Sequence, residues 1–476
     1  MNQQSVLFVV YDFPPEGARG TKRTLKFLQH LPQSGWAPVV LTASHQPFDF
    51  YDGSMLAEVP AEVPVYRART LESLVHRNQY KPGEVRDPVA DARKAPPPSW
   101  LRRAVLSIYR WVGKFASVPD SRVLWLPLAV VNGLWILWKH RCHAIYSSGP
   151  THTNHVVAAI LSRLTGRPLV LDFRDAWVGN PTQLTFSMSM RKAHARLERF
   201  CVRAARFVIC TTDGMKADFV ARHSNLPTKY VTITNGFDPS DFAPVPLVEQ
   251  ESRDSVLRII HAGTLGSERS PKEFLLALGQ LIRDKPELSG RLEVIFVGKS
   301  SPFADGRTIE DYIQEYGCGS VVRLTGYVSR KASLDYMQQA DVLLLIIGRV
   351  PKETAYIYGI SGKIYDYAAA RKPLFTIAEP GSTAEMAVRL NLGPVVHPDN
   401  VSEIKSTLIS LCEEHAVGKI PYDLNLKLLK SFEFSNLTAR LAECFDQACC
   451  PDQGNLSKTG GTLLDPSPRS SRTSGD

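Results

Sequence analysis

The stretch Tyr356-Ile-Tyr-Gly-Ile-Ser-Gly-Lys-Ile-Tyr-Asp-Tyr-Ala-Ala-Ala-Arg-Lys-Pro373 predicts a glycine-containing loop, then a short helix, then a proline that opens the next strand. Ser361 or Gly362 is expected to cap the helix and leave backbone N–H groups facing outward at its positive end. Lys363 adds a positive charge where a phosphate group would bind. Asp366 lies one turn further along the same face, so the pair could hold a nucleotide's diphosphate and its ribose hydroxyls. An ordinary intrahelical Lys–Asp pair is the alternative that these residues leave open.

The size and composition of the chain predict a soluble protein of more than one domain. At 476 residues it is too long for a single core, and 44% hydrophobic and 22% charged residues are typical of globular proteins. Its eight cysteines form no CxxC pair and no zinc-like spacing, which favours free thiols in a reducing cytosol. The longest apolar run, Val123 to Trp138, contains Pro127 and Asn132, which favours a buried helix over a membrane span.

Alternating apolar runs and amphipathic segments predict two parallel sheets in sequence. Strands are expected at 6–10, 39–42, 63–66, 144–147, 168–173, 207–210 and 230–234, and then at 257–261, 292–297, 342–347 and 374–377. No GxGxxG motif follows the first strand, so a nicotinamide or flavin site is disfavoured.

The predicted fold class is therefore α/β, with two Rossmann-like, doubly wound parallel-sheet domains facing a cleft. The first domain is expected at 1–238, a Pro- and acid-rich linker at 239–255 and the second domain at 256–434. A last amphipathic helix follows at 435–450, and residues 451–476 have the composition of a disordered tail. Open sheets of this kind bind ligands beyond the carboxyl ends of their strands, so a substrate pair is expected in the cleft.

A basic insertion at 68–118 interrupts the first domain. Between Arg67 and Lys114 there are eleven Lys or Arg and four Asp or Glu residues, which points to an anionic partner. Residues 100–115 have an apolar face and a basic face, as do helices that lie on anionic membrane surfaces. A helix packed on its own domain with a solvated basic face is the alternative. No nucleic-acid partner is expected.

Six separated motifs resemble those of the glycosyltransferases with the GT-B fold, specifically glycosyltransferase family 4. The motifs are Tyr11-Asp-Phe-Pro-Pro-Glu-Gly17 with Thr21-Lys-Arg-Thr-Leu-Lys-Phe27, Ser147-Ser-Gly-Pro-Thr-His152, Leu171-Asp-Phe-Arg-Asp-Ala-Trp177, Thr234-Asn-Gly-Phe-Asp238, His261-Ala-Gly-Thr264, and Ser361-Gly-Lys-Ile-Tyr-Asp-Tyr367. They occur in the family's order and span the chain from about Val6 to Ala448.

The resemblance implies that the second domain binds a nucleotide-diphosphate sugar and that the first binds the acceptor. It implies that Lys363 contacts the diphosphate and Asp366 the ribose, and that one of two histidines acts beside the sugar. The donor-binding candidates are Gly17, Gly263, Thr264, Arg269, Gly298, Lys363 and Asp366; the catalytic candidates are His152 and His155; the acceptor-side candidates are Asp172, Arg174 and Asp175. No metal and no cofactor beyond the sugar nucleotide are expected, and retention at the anomeric carbon is implied by the family alone.

Some candidates have a structural alternative. His152 could cap the following helix, and His155 could be an ordinary helix-face residue. Asp172, Arg174 and Asp175 could form an internal salt-bridge network. The chain also departs from the family where Tyr358 replaces a carboxylate that commonly binds sugar hydroxyls, and where Thr264 replaces an arginine.

The predicted function is transfer of a sugar to a lipid-linked or polysaccharide acceptor, in the cytoplasm or on the inner face of the cytoplasmic membrane. A nucleotide-sugar epimerase or hydrolase of the same fold is one alternative. The other is a non-catalytic binding protein with a degenerate donor site.

Overall fold

The computed structural model describes residues 3–17, 19–44, 52–70, 118–180, 183, 185–242, 256–267, 269–349, 359–418 and 420–450. Its strands are β1 (Gln4–Val9), β2 (Trp36–Ala43), β3 (Val65–Ala68), β4 (Ala144–Gly149), β5 (Leu169–Phe173), β6 (Phe207–Cys210), β7 (Lys229–Thr232), β8 (Leu257–Ala262), β9 (Leu265–Ser267), β10 (Leu292–Val297), β11 (Ser300–Phe303), β12 (Val322–Gly326), β13 (Val342–Ile346), β14 (Leu374–Ile377) and β15 (Val395–Val396). All pair in parallel, which confirms the predicted sheet type.

The strands form two large sheets and one small one. The first sheet has the order β3-β2-β1-β4-β5-β6-β7, and the second has the order β12-β10-β8-β13-β14-β15. Strands β9 and β11 pair beside the second sheet. The apolar pattern did not predict this small sheet because its strands are short and partly polar.

The α-helices connect these strands. They are α1 (Arg19–His30), α2 (Leu126–Lys139), α3 (Thr153–Thr165), α4 (Met188–Ala204), α5 (Asp213–Arg222), α6 (Lys272–Asp284), α7 (Ile309–Tyr316), α8 (Arg330–Gln339), α9 (Lys363–Ala369), α10 (Ser382–Arg389), α11 (Val401–Ala416), α12 (Leu426–Lys430) and α13 (Phe434–Cys449).

Helices cover both faces of each large sheet. Successive residues of a strand point to opposite faces, so the fully buried Leu7 and Phe8 of β1 lie in separate cores. Helices α2 to α5 pack on the face of Leu7, and α1 and α13 pack on the face of Phe8. In the second domain, α6, α7 and α11 cover one face, and α8, α9, α10 and α12 cover the other. Both domains are therefore doubly wound, as predicted.

The last helix, α13, returns to the first domain. Leu441 and Phe445 are fully buried in the core beside β1, and the Trp36 Nε1–H group donates to Asp446 at 2.9 Å. Just before this helix, the backbone of Phe237 exchanges hydrogen bonds with Phe432 and Phe434 at 3.1 and 2.9 Å. The two segments in which the chain passes between the domains, at Phe237 and at Phe432–Phe434, thus lie side by side.

Helix α2 forms where a buried helix was predicted at 123–138, but it buries only one face. Ala129 and Ile136 are fully buried, whereas Val131, Trp135 and Trp138 are 64%, 45% and 78% exposed. The predicted buried helix is therefore present but buried on one face only. Among the residues that the structure describes, no helix combines the length and the apolar character needed to span a bilayer.

Three features predicted from the sequence lie outside the described residues. They are the amphipathic segment 100–115, the tail 451–476 and Tyr358. Most of the predicted linker, from 243 to 255, is also outside them.

Candidate functional site

A cavity of about 570 Å³ lies between the two domains, beyond the carboxyl ends of strands β1, β5, β8 and β13. The sequence-predicted residues in its wall are Gly17, Arg174 and Asp175 from the first domain, and Gly263, Thr264, Arg269, Lys363 and Asp366 from the second. The structure therefore brings most of the donor candidates and two of the acceptor candidates to one space. The other four candidates, His152, His155, Asp172 and Gly298, do not contribute to this wall.

Gly263 lets the side chain of Lys363 lie across the end of β8. A Cβ atom at position 263 would come within 2.1 Å of the Lys363 Nζ atom and 2.3 Å of its Cε atom. The φ angle of Gly263, +136°, is also one that residues with a side chain rarely adopt. Glycine is therefore required here for both the backbone turn and the path of the lysine.

Gly298 supports this turn from behind. It follows β10, has a φ angle of +131°, and a Cβ atom there would lie 2.8 Å from the carbonyl oxygen of Gly263. The N–H of Gly263 donates to Val297 O at 2.7 Å, and the N–H of Gly298 donates to Gly326 O at 3.0 Å. Gly298 thus shapes the turn at Gly263, although it does not line the cavity.

Helix α9 begins at the cavity wall. Gly362 occupies its N-cap position, and no side chain caps it. Ser361 instead donates its backbone N–H to Thr383 Oγ1 at 3.0 Å. Of the two predicted caps, the structure selects Gly362, which leaves the first turn of α9 and Lys363 at the wall of the cavity.

Asp366 forms its salt bridge with Lys22 of α1, in the other domain. The Lys22 Nζ atom lies 2.6 Å from Asp366 Oδ1 and 3.7 Å from Asp241 Oδ2. These side chains are 11% to 19% exposed. The alternative of an ordinary intrahelical pair is therefore not what the structure has, because the partner of Asp366 comes across the cleft.

Lys22 belongs to a network of charges that joins the domains. Lys26, one turn further along α1, lies 3.1 Å from Asp238 and 2.8 Å from Asp241. Arg330, at the start of α8, lies 2.6 Å from Asp241. Burial alone would raise the pKa of Asp241, but Arg330, Lys22 and Lys26 together hold it below its ordinary value.

Both predicted catalytic histidines are buried. His155 has no exposed surface, and its Nδ1 atom lies 2.9 Å from Ser147 Oγ. Burial lowers its pKa to about 3, so the imidazole is neutral. The His152 ring is 9% exposed and stacks on Trp177 with centroids 4.6 Å apart. Neither histidine lines the cavity, so the catalytic role predicted for them stays a prediction that this geometry does not support.

The helix cap expected from His152 comes instead from Asp120. His152 occupies the N-cap position of α3, but its side chain makes no capping bond. The backbone N–H and hydroxyl of Thr153 donate to the Asp120 carboxylate at 2.9 and 2.7 Å. The sequence could not indicate this because Asp120 lies more than thirty residues earlier.

Asp172 is part of an internal network. Its fully buried carboxylate accepts two hydrogen bonds from Arg23, both 2.9 Å long, and others from the hydroxyls of Tyr146 and Ser148. Burial would raise its pKa, but the Arg23 guanidinium and the Tyr146 hydroxyl keep it below the ordinary value. This geometry favours the salt-bridge alternative over acceptor contact for Asp172.

Arg174 lies at the cavity wall beside α1. Its guanidinium donates to the carbonyl oxygens of Gly149 and Pro150. A Cβ atom on Gly20 would lie 1.3 Å from one of its nitrogens, so Gly20 leaves room for the arginine. Arg174 and Asp175 therefore remain acceptor-side candidates.

The sequence did not identify Lys22, Lys26, Arg330, Asp238 and Asp241 as site residues. One signal was available, since Lys22 and Lys26 stand four residues apart on α1 and therefore share one face of the helix. Their partners, however, are Asp238 at the end of the first domain, Asp241 in the linker and Asp366 in the second domain. Only the placement of the domains reveals these contacts.

A family model described as a glycosyl transferase 4-like domain matches residues 20–236. A curated relative, the D-inositol 3-phosphate glycosyltransferase of Kineococcus radiotolerans, is 26% identical over 153 residues. That match covers 31% of this chain and 35% of the relative, so the chain spans about a third of the length of this curated protein.

Solved structures share the fold over nearly the whole chain. Sucrose-phosphate synthase from Thermosynechococcus elongatus has a TM-score of 0.56 at 14% identity, covering 93% of this chain and 98% of that one. Anabaena HepE in complex with UDP has a TM-score of 0.58 at 16% identity, covering 93% and 100%. An α,α-trehalose-phosphate synthase (UDP-forming) from Burkholderia vietnamiensis has a TM-score of 0.54 at 12% identity, covering 95% and 100%.

Proposed function

We propose that this chain, which is similar to a glycosyl transferase 4-like domain at 20–236 and shares its fold with solved glycosyltransferases, transfers a sugar from a nucleotide-diphosphate donor. The cavity between its domains carries this proposal. It places Lys363 and Arg269 of the second domain opposite Gly17 and Arg174 of the first. A donor held by the second domain would therefore present its sugar to an acceptor held by the first.

Stabilisation of the departing nucleoside diphosphate is the main chemical role of the cavity. Breaking the bond between the sugar and the diphosphate leaves negative charge on the phosphate oxygens. Lys363 and Arg269 carry positive charge at the wall where those oxygens would lie, and the turn at Gly263 lets them approach the backbone. Within the described residues, no three His, Cys, Asp or Glu side chains are grouped to hold a metal ion.

Asp366 is the proposed ligand of the donor ribose. It lies one turn from Lys363 on α9, at the wall of the same cavity. A carboxylate is a strong acceptor for hydroxyl hydrogen bonds. The donor ribose would compete with Lys22 for this carboxylate, since Lys22 already contacts Asp366 Oδ1.

The proposed acceptor is a lipid-linked or polysaccharide glycan, and the sugar is transferred with retention, as the family implies. HepE, solved with UDP and with UDP-glucose, and the UDP-forming synthase support a uridine nucleotide as the first donor to test.

Peripheral binding to an anionic membrane is proposed for the first domain. The exposed face of α2 supports it, because Val131, Trp135 and Trp138 recur at helical spacing. The Lys139 ammonium lies 4.6 Å from the centroid of the Trp135 ring, which places a cation beside the aromatic face. Tryptophan and lysine together are characteristic of residues at a membrane interface.

A vesicle co-sedimentation experiment tests the membrane proposal. Wild-type protein should sediment with vesicles containing anionic lipid and be released by salt, and Trp135→Ser/Trp138→Ser should bind about tenfold or more weakly because apolar contact is lost. Met188→Ser, which changes an exposed residue at the start of α4, is the matched control and should bind as wild type does. Binding indifferent to anionic lipid and to both tryptophans would contradict the proposal.

A donor screen tests the enzymatic proposal. UDP-, GDP- and TDP-sugars are each incubated with the protein while thermal stability and nucleotide release are measured. A transferase should be stabilised by one donor and release its nucleotide faster when an acceptor glycan is added. Epimerised free donor would favour an epimerase, and neither stabilisation nor release with any donor would favour a binding protein.

A further inference from the structure

His261 lies directly beneath the lysine of the proposed donor site. It is the fifth residue of β8, two residues before Gly263, and it has no exposed surface. Its Nδ1 atom lies 3.0 Å from the carbonyl oxygen of Leu344 on β13, and its Nε2 atom lies 3.4 Å from Lys363 Nζ. It therefore touches the lysine without lining the cavity.

The partners of His261 determine its tautomer. A carbonyl oxygen can only accept, so Nδ1 must carry the proton that it donates to Leu344. Burial, reinforced by the charge of Lys363, lowers the pKa of His261 well below its ordinary value, so the ring is neutral. Nε2 then carries a lone pair, and the lysine ammonium can only donate to it.

A second contact fixes the same helix to the same strand end. The Tyr367 hydroxyl accepts from the N–H of Ala262 at 2.7 Å and donates to its carbonyl oxygen at 3.1 Å. Lys363 and Tyr367 stand one turn apart on α9 and meet the adjacent residues His261 and Ala262. Helix α9 is thus held in register with β8, and the lysine tail is confined between His261 and the space above Gly263.

We infer that His261 is a positioning residue that holds the Lys363 ammonium at the phosphate-facing wall of the cavity. A lysine side chain has four rotatable bonds, and an acceptor beneath its ammonium removes much of that freedom before the donor binds. The inference rests on the proposed function, because it assigns the donor diphosphate as the group that the oriented lysine meets. It requires a neutral acceptor at the Nε2 position, which a carboxylate or a purely apolar side chain would not supply.

Two substitutions distinguish the role of the Nδ1 atom of His261 from that of its Nε2 atom. In His261→Asn, the side-chain amide can still donate to Leu344 as Nδ1 does, but no atom reaches the Nε2 position. In His261→Gln, the longer side chain can place its carbonyl oxygen near that position and accept from Lys363. His194→Asn is the matched control, because His194 is also buried and has a pKa lowered by burial, but lies in the other domain and does not line the cavity.

Calorimetric titration with UDP and with uridine tests the inference. His261→Asn should bind UDP about tenfold or more weakly than wild type and bind uridine equally well, because only the diphosphate meets Lys363. His261→Gln should recover most of the UDP affinity. His194→Asn should leave both affinities unchanged.

A double-mutant cycle with Lys363→Met excludes a merely structural effect. If His261 acts through the lysine, His261→Asn should not weaken UDP binding further in the Lys363→Met background. Equal losses for UDP and uridine, or a full effect without Lys363, would overturn the inference. If His261→Asn does not fold, UDP affinity of His261→Gln within fivefold of wild type supports the inference, and a larger loss overturns it. A wild-type protein that binds no nucleoside diphosphate would overturn the proposed function and the inference with it.

Discussion

At the scale of single residues, Gly263 and Lys363 form the side of the cleft that is proposed to bind the donor. A glycine after a parallel strand and a lysine at the start of a helix were both predicted to meet a phosphate. The structure adds that each depends on the other, because the lysine tail occupies the space that a side chain at position 263 would fill. Such steric dependence cannot be read from two residues a hundred positions apart.

Gly263→Ala is expected to weaken UDP binding by about tenfold, since it forces Lys363 out of its path. The substitution should also lower the free energy of unfolding by about 1 kcal/mol, because the backbone at position 263 has a positive φ angle that alanine rarely adopts. Gly306→Ala is the matched control, because Gly306 has a φ angle of +80° but no neighbouring atom within 4 Å of the place where a Cβ atom would lie. Titration and thermal unfolding of both variants separate the two effects; equal UDP affinity in both would contradict the account.

The two histidines show what prediction from single residues leaves out. His152 and His155 follow a strand and open a helix, the position of many ligand-binding side chains. Almost all of the first turns of α3 are buried, however, and Trp177 covers His152. The helical pattern gave no sign of this because the covering residue comes from the loop after β5, which pattern reasoning cannot place.

Helix α1 connects the two domains at the scale of secondary structure. Its residues Lys22 and Lys26 lie on one stripe and contact carboxylates of the linker and of α9. The position of this helix and its apolar face depend on local periodicity, which a sequence pattern can indicate. The sequence could not predict the partners of α1, because these depend on the position of the second domain relative to the first.

Lys22→Met is expected to tighten UDP binding several-fold. Lys22 competes for Asp366, and a partly buried pair of this kind is worth about 1 kcal/mol. The gain should disappear with 2′,3′-dideoxy-UDP, which has no ribose hydroxyls to offer to Asp366. Calorimetric titration of both nucleotides is the measurement. Weaker UDP binding by the variant would instead make Lys22 a direct donor ligand.

The charge network between the domains gives the whole molecule a pH-dependent stability. Asp241 has a pKa below its ordinary value of 3.8, so its ion pairs stabilise the fold above that pH. The stabilisation is lost as the pH falls further, through the lower pKa of the folded state. Lys22, Lys26 and Arg330 all form ion pairs with Asp241. Loss of the Asp241 charge should therefore destabilise both domains.

Asp241→Asn should lower the free energy of unfolding by about 3 kcal/mol at pH 7, because three cations lose a charged partner. The difference from wild type should shrink as the pH falls below about 4, because the unfolded wild-type chain then binds a proton at Asp241 while the folded state, with its lower pKa, keeps the carboxylate ionised. Chemical denaturation at several pH values measures this. A difference that stays constant down to pH 3 would show that the aspartate contributes by packing and not by charge.

The arrangement of the whole molecule was predictable in outline. Apolar strands alternating with helices indicate two parallel sheets, and parallel sheets place their ligand loops at one edge. Residues such as Gly17 and Gly263 could be assigned to the cleft on that basis. The exposed face of α2 and the small sheet of β9 and β11 could not be predicted. Composition alone does not say which apolar residues pack against other residues and which stay exposed.

The central claim is that the cleft binds a nucleotide-diphosphate donor through Lys363. Turnover of the donor found in the screen, measured for wild type and Lys363→Ala beside an unchanged thermal unfolding curve, tests it most directly. Removing one positive charge from the departing diphosphate should slow turnover by about a hundredfold or more while the fold stays intact. Wild-type turnover by a folded Lys363→Ala variant would contradict the claim.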